Sequence, residues 1–383
     1  MKTAKRALSL LLTGVLLCLF CACGSNASST AETAPSAATE APPTTAPDVI
    51  ETTLRQMSVE EKVGQLFYAR CPEENAESLI RDCHLGALLL FGRDFEGKTA
   101  EEIRTDIASY QSVSKLPLLI GVDEEGGTVV RVSDNPNLRD APFDSPRNTY
   151  QGGGWDAVDA CEAEKADLLL SLGVNVNNAP VCDVTGNPDS FMYDRSFSGD
   201  AQEAAEYVRR AVTVCNGKKL GAVLKHFPGY GDNSDTHKAD SYDSKSMEDF
   251  RAVDFVPFQA GIAAGAGAVM VSHNIVACMD GSNPASLSPE VHRVLREELG
   301  FAGVIVTDDL VMAAVSEDTD AAVAAVSAVK SGNDLLCCSK PETQYSAVLA
   351  AVKSGDISEA RIDESVRRIL KWKQSLGLLP PIQ

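Results

Sequence analysis

The sequence predicts an α/β fold, a single (β/α)8 barrel that begins near residue 48. Three observations carry that expectation. Beyond residue 50, eight short apolar runs recur, at 65–69, 85–91, 117–123, 174–181, 221–227, 267–273, 303–309 and 333–339. Longer segments that read as amphipathic helices lie between them, among them 100–112, 157–172, 200–217, 247–264, 288–299 and 319–331. Nearly continuous apolar strands alternating with helices indicate a parallel sheet covered on both faces. Finally, no GxGxxG follows an early strand, so an open dinucleotide-binding sheet lacks its main support. Eight strands in one domain favour closure into a barrel.

The chain opens differently. Lys2, Lys5 and Arg6 precede an apolar run from Ala7 to Phe20, and small residues follow. A basic stretch, a short apolar stretch and small residues are the parts of a secretory signal peptide, expected over 1–22. The run falls short of the ~20 apolar residues that span a bilayer. Cys23, with Ala22 before it and Gly24-Ser25 after it, resembles a bacterial lipoprotein cleavage site. Lipidation of Cys23 as the first mature residue is therefore expected, with plain secretion as the alternative. Residues 23–47 are rich in Ser, Ala, Thr and Pro and cannot fold by burial, so they read as a flexible tether. The folded domain is expected over 48–383, with no appended second domain and a monomeric state. It would work outside the cytoplasm, at the outer face of the cell membrane.

Composition narrows the chemistry. With 44% hydrophobic and 23% charged residues, the chain reads as globular. Its 34 basic and 54 acidic residues give a net charge of −20, which argues against nucleic acid or an anionic membrane surface as partner. Of the 11 cysteines, the eight beyond the signal region show no CxxC spacing, and several lie inside apolar runs as small hydrophobes. His84, His226, His237, His273 and His292 form no HxxxH-type pair, so neither a metal nor another cofactor is expected.

Polar groups gather just after four of the expected strands: Asp123-Glu124-Glu125-Gly126-Gly127, Lys225-His226, His273-Asn274 and Asp308-Asp309. In a barrel the C-terminal ends of the strands form the active-site face, so these clusters would share one rim. KHFPGYGDNSDTHKAD (225–240) ends a strand and continues into a Pro/Gly-rich loop carrying Asp235, Thr236 and His237. A carboxylate two residues from an imidazole can accept from one ring N–H and leave the other nitrogen for proton transfer. The alternative is a polar surface loop with an incidental histidine. VIVTDDL (304–310) ends in Asp308, placed to face the pocket, and Asp309, placed to cap or to bond the loop. An aspartate at such a rim can be a nucleophile, a metal ligand or a helix cap. In VDEEGG (122–127), Asp123 could hold ligand hydroxyls, although three successive acids also fit a solvated turn. Arg131 and Arg195 stand in loops and prove little alone.

Taken together, VDEEGGTVVR (122–131), APVCDV (179–184), DRSFSGD (194–200), KHFPGYGDNSDTH (225–237) and NPASLSPEVHRVLREELGFAGVIVTDDLVM (283–312) resemble glycoside hydrolase family 3. The likeness is to its NagZ-type β-N-acetylglucosaminidases, and it extends from MSVEEKVGQLF (57–67) to the helix ending at Lys373. The resemblance implies an exo-acting retaining β-N-acetylglucosaminidase with Asp308 as nucleophile, His237 as general acid/base and Asp235 as its partner. It implies that Asp123, Arg131, Arg195, Lys225 and His226 hold the terminal sugar, with His273 and Met312 lining the same pocket. Glu124 stands where Gln is commoner and Thr128 where Arg is common, so the rim beyond the first sugar is expected to differ. Thr236 replaces a more frequent Ser between the dyad residues. The expected substrates are N-acetylglucosamine-terminated cell-wall fragments or related oligosaccharides. The competing classes are a family 3 β-glucosidase or β-xylosidase, an N-acetylglucosaminide phosphorylase and a non-catalytic sugar-binding lipoprotein.

Overall fold

Alternation along each strand decides which core a side chain joins, and it explains why the strands read as unbroken apolar runs. The computed structural model describes residues 48–233, 241–311 and 320–380. The expected signal segment, Cys23 and the tether lie outside the described residues. Eight strands make one parallel sheet: β1 (Phe67–Arg70), β2 (Ala87–Leu89), β3 (Leu119–Val122), β4 (Val176–Asn177), β5 (Gly221–Phe227), β6 (Ala268–Val271), β7 (Val304–Thr307) and β8 (Leu336–Cys338). They run in chain order, with β8 beside β1. A parallel bridge between Val306 and Leu335 closes the ring. Seven of the strands fall within a predicted run, and β1 extends one residue past the first, to Arg70.

One set of strand residues points inward. Tyr68, Ala87, Leu89, Leu119, Val176, Val223, Ala268, Met270, Val304, Val306, Leu335 and Cys337 pack together as the barrel interior. Their alternates, among them Ala69, Leu88, Ile120, Leu224, Val269, Ile305 and Leu336, join the larger core beneath the helices. Both faces are dry, so neither tolerates a polar residue until the strand ends.

The helices start where short polar side chains can satisfy their free N–H groups. Ser58 and Thr99 form capping boxes with Glu61 and Glu102, and Asp200 accepts from Gln202 N and Glu203 N. The predicted 157–172 segment is the second half of a longer element, Pro146–Leu172. Its backbone breaks at Gly153 and Gly154, which explains why the periodicity is legible only after the glycines. Helices at Ala76–Asp82 and Pro341–Ser354 were not foreseen. Six of the eight described cysteines are buried and all eight are free thiols, in keeping with a packing role.

The last helix, Glu359–Ser375, closes the end of the barrel remote from the strand C-termini. Ile369 and Trp372 join the interior cluster from below. Trp372 needs the space left by two glycines at the bases of neighbouring strands. A Cβ on Gly221 would lie 2.9 Å from its ring, and one on Gly267 only 2.1 Å. The next residue, Lys373, is fully buried and donates to Gln65 Oε1 at 2.7 Å. Burial lowers its ammonium to about 7. The folded chain therefore holds this proton less tightly than the unfolded chain, which binds it up to about pH 10. Stability then rises with pH between those limits, and the penalty is fully present below them. Urea titration should give about 2 kcal/mol more stability at pH 9 than at pH 7 from this group. Lys373→Met should be more stable at pH 7 and show a flatter pH profile.

Candidate active site

The rim of the barrel collects charge because each strand ends where the apolar alternation stops. β3 delivers Asp123 and, one turn on, Glu125; β5 delivers Lys225 and His226; β7 delivers Asp308. Together with Arg131 and Arg195 from loops, all except Glu125 being residues that the sequence singled out, they line one cavity of about 490 Å³. Six of the expected site residues besides Asp308 fall on described chain. Asp123, Arg131, Arg195, Lys225 and His226 meet in this wall, and His273 does not.

Glu125 sits between two cations. Arg195 engages it through two hydrogen bonds, Nε to Oε2 at 2.9 Å and Nη2 to Oε1 at 2.7 Å. Lys225 Nζ lies 2.6 Å from Glu125 Oε1 and 2.7 Å from Asp123 Oδ1. Burial alone would raise the Glu125 carboxyl, but Arg195 and Lys225 outweigh it and hold it well below the usual carboxylate range. Lys225 is raised for the matching reason: burial opposes its charge, and Asp123 and Glu125 prevail.

A second carboxylate works beneath the first. Asp183, 1% exposed, faces His226 Nδ1 at 2.8 Å and accepts from His226 N through the same Oδ2. The partners assign the His226 ring proton to Nδ1, leaving Nε2 to accept from Arg195 Nη2 at 3.2 Å. Burial raises the Asp183 carboxyl, but His226, Tyr230 N and Arg195 together lower it overall. The network Asp123–Lys225–Glu125–Arg195–His226–Asp183 is thus one continuous ladder of charge.

Donors are left over in the wall. Arg70, at the end of β1, stacks on the Phe91 ring with Cζ 4.0 Å from its centroid. Arg70 Nε, Arg131 Nε and Asn178 Nδ2 are buried without a partner among the described residues. Arg70, Phe91, Asn178 and Met270 line the cavity and were not foreseen. Glu125 and Asp183 were not singled out either. Glu125 is the third of three look-alike acids, whereas Asp183 carried a usable signal, an acid interrupting the apolar APVCDV run.

Asp308 follows β7, with its N–H donating to Val271 O at 2.9 Å and its Oδ1 accepting from Asp309 N at 2.9 Å. Asp309 holds the loop, accepting from Val311 N at 3.2 Å and from Ser339 Oγ at 2.6 Å.

Two expectations change. His273 is fully buried behind the wall; its Nδ1 lies 2.7 Å from Ser286 Oγ and its Nε2 3.0 Å from Asp309 O. It meets the Asp309 backbone and is not among the residues that line the cavity. Glu124, read as a rim difference, is also fully buried. Its carboxylate accepts from Arg131 N, Val132 N and Ser133 N at 2.8, 2.7 and 3.3 Å, and so shapes the loop that presents Arg131. Asp235, His237 and Met312 lie outside the described residues. Among those described, no group of three or more His, Cys, Asp or Glu is placed to hold a metal ion.

With this geometry in place, comparison with known proteins is decisive. Residues 58–372 match the Glycosyl hydrolase family 3 N terminal domain. The chain belongs to glycosyl hydrolase family 3. It is 36% identical over 236 residues to a Beta-hexosaminidase of Xanthomonas euvesicatoria pv. vesicatoria, covering 60% of this chain and 69% of that protein. It is 30% identical over 347 residues to a Beta-N-acetylglucosaminidase/beta-glucosidase of Cellulomonas fimi, covering 86% of this chain and 60% of that one. The solved structure of a family 3 β-N-acetylglucosaminidase from Paenibacillus sp. str. FPU-7 superposes with a TM-score of 0.80 at 32% identity. That match covers 85% of this chain and 64% of the Paenibacillus chain, so the protein spans just under two thirds of that family member.

The ladder makes a stability prediction. Replacing Glu125 with Ala strands Arg195 and Lys225 as buried cations, which should cost about 3–5 kcal/mol in chemical denaturation. Replacing a rim acid such as Glu73, 80% exposed, should cost less than about 1 kcal/mol.

Proposed function

We propose that this family 3 protein is an exo-acting retaining β-N-acetylglucosaminidase. The observation that carries the reading is that Asp308 shares one cavity with Asp123, Arg131, Arg195, Lys225 and His226. Carboxylates, guanidiniums and an ammonium fixed by one another can bind the hydroxyls of a sugar ring without reorganising. The unpartnered Asn178 Nδ2 and Arg131 Nε supply further donors. The name of the Paenibacillus relative supports N-acetylglucosamine as the terminal sugar, and that of the Xanthomonas relative supports a hexosamine more broadly.

The reaction is a double displacement. Asp308 attacks the anomeric carbon while His237, oriented by Asp235, gives a proton to the leaving oxygen. Water then attacks the glycosyl-enzyme, His237 takes its proton, and Asp308 leaves. His237 acts as an imidazolium that becomes neutral on giving up its proton, and so takes the place of the second carboxyl group beside Asp308 in the usual pair. The substrates are proposed to be peptidoglycan fragments or related oligosaccharides, met outside the cytoplasm by an enzyme anchored through lipid on Cys23.

Two measurements test this. Asp308→Asn should lower turnover of nitrophenyl β-N-acetylglucosaminide by about 1,000-fold or more, and unchanged turnover would sink the mechanism. His237→Ala should lose far more activity on a disaccharide than on the nitrophenyl substrate, whose activated leaving group needs little acid help. Equal losses on both would count against the acid role.

A further inference from the structure

The segment carrying Asp235 and His237 departs from the described chain at Asn233 and rejoins it at Ser241, and both ends meet the same charged cluster. Asp243 and Asp254 are 1% and 3% exposed. Lys245 Nζ lies 2.8 Å from each Asp254 oxygen and 3.3 Å from Asp243 Oδ2. On the departing side, Asn233 Nδ2 donates to Asp243 Oδ2 at 2.5 Å. The Asp254 carboxylate packs directly on Gly229, where a Cβ would come within 2.6 Å of Oδ1; Gly231 would bring one to 3.1 Å from Lys245 Nζ. Gly229 and Gly231 have φ of +124° and +54°, so a larger residue is excluded at Gly229 by both backbone and space and is strained by backbone at Gly231.

On the returning side, Tyr242–Asp243 forms a short parallel pair with Ile275–Val276 after β6. Ile275 N donates to Ser241 O at 2.7 Å, and Ala277 N to Asp243 O at 2.9 Å. The same base touches the sugar-binding ladder, because Asp183 spends its second oxygen on Tyr230 N at 2.7 Å. Nothing in the barrel core calls for two buried carboxylates around one ammonium here, and apolar residues of similar size would pack at less cost.

We infer that Asp243, Lys245 and Asp254 are positioning residues that join the two ends of the acid/base segment and set where it presents its imidazole. The inference rests on the acid role proposed for His237. Lys245 is the link: it bridges a carboxylate against the departing turn and a carboxylate on the returning strand. Losing it leaves two buried carboxylates facing each other.

The test compares kcat/KM on nitrophenyl β-N-acetylglucosaminide with that on N,N′-diacetylchitobiose, whose leaving sugar needs a proton. In Lys245→Met the chitobiose rate should fall at least about 10-fold more than the nitrophenyl rate, as a misplaced acid requires. Asp254→Asn keeps the size of the side chain and should show a smaller shift in the same ratio. It stands in should Lys245→Met fail to fold, which an unfolding midpoint reports. Equal losses on both substrates, with or without a lowered midpoint, would mean a merely structural cluster and overturn the inference. His237→Ala run in parallel separates the two readings. If it lacks leaving-group dependence, the acid assignment falls and takes the inference with it. If it shows that dependence and neither cluster variant does, the inference alone falls.

Discussion

A buried carboxylate shared by two cations is the constraint on which the site depends. Glu125 is nearly buried, so its charge is tolerable only while Arg195 and Lys225 stay in place. Those cations in turn orient His226 and Asp123. Arg195 comes from the loop after β4 and Lys225 from β5, so three parts of the rim are held in register by one side chain. The cavity thus presents groups whose mutual attraction has already met the cost of desolvation, which is the condition for binding the hydroxyls of the proposed sugar firmly in a wet cleft.

Asp183 extends the arrangement downward. One oxygen fixes the His226 ring and the other takes the backbone of Tyr230, so the floor of the pocket and the start of the Pro/Gly-rich loop share an anchor. The loop after β3 is organised likewise, by Glu124 accepting three successive backbone N–H groups. Both carboxylates act on backbone. Their effect on the site is to fix the course of the chain that presents other side chains.

The barrel was largely legible because a strand buried on two faces must be apolar at nearly every position, and the eight runs announce themselves. Where a glycine triplet breaks Pro146–Leu172, periodicity failed and only half of the element could be read. Within the site, residues at strand ends were legible, since polarity there interrupts an apolar run: Asp123, Lys225, His226 and Asp308 all stand at such interruptions. Direction was not legible. His273 has the same sequence setting as His226, yet its ring turns towards Ser286, a choice made by tertiary packing. Glu124 and Glu125 cannot be told apart as letters, although one shapes a loop and the other binds two cations. Arg70 was missed because a lone arginine after FYA carries no pattern, and its position over Phe91 depends on the pairing of β1 with β2.

The packing of Trp372 against Gly221 and Gly267 has a consequence for the shape of what the protein can accept. With Ile369 and Trp372 stopping one end and alternating side chains filling the middle, the barrel is a blind well, open at a single mouth. Nothing can be threaded through it. The stopper at the bottom thus bears on the route to the charged groups at the top: whatever reaches them enters and leaves by the same mouth.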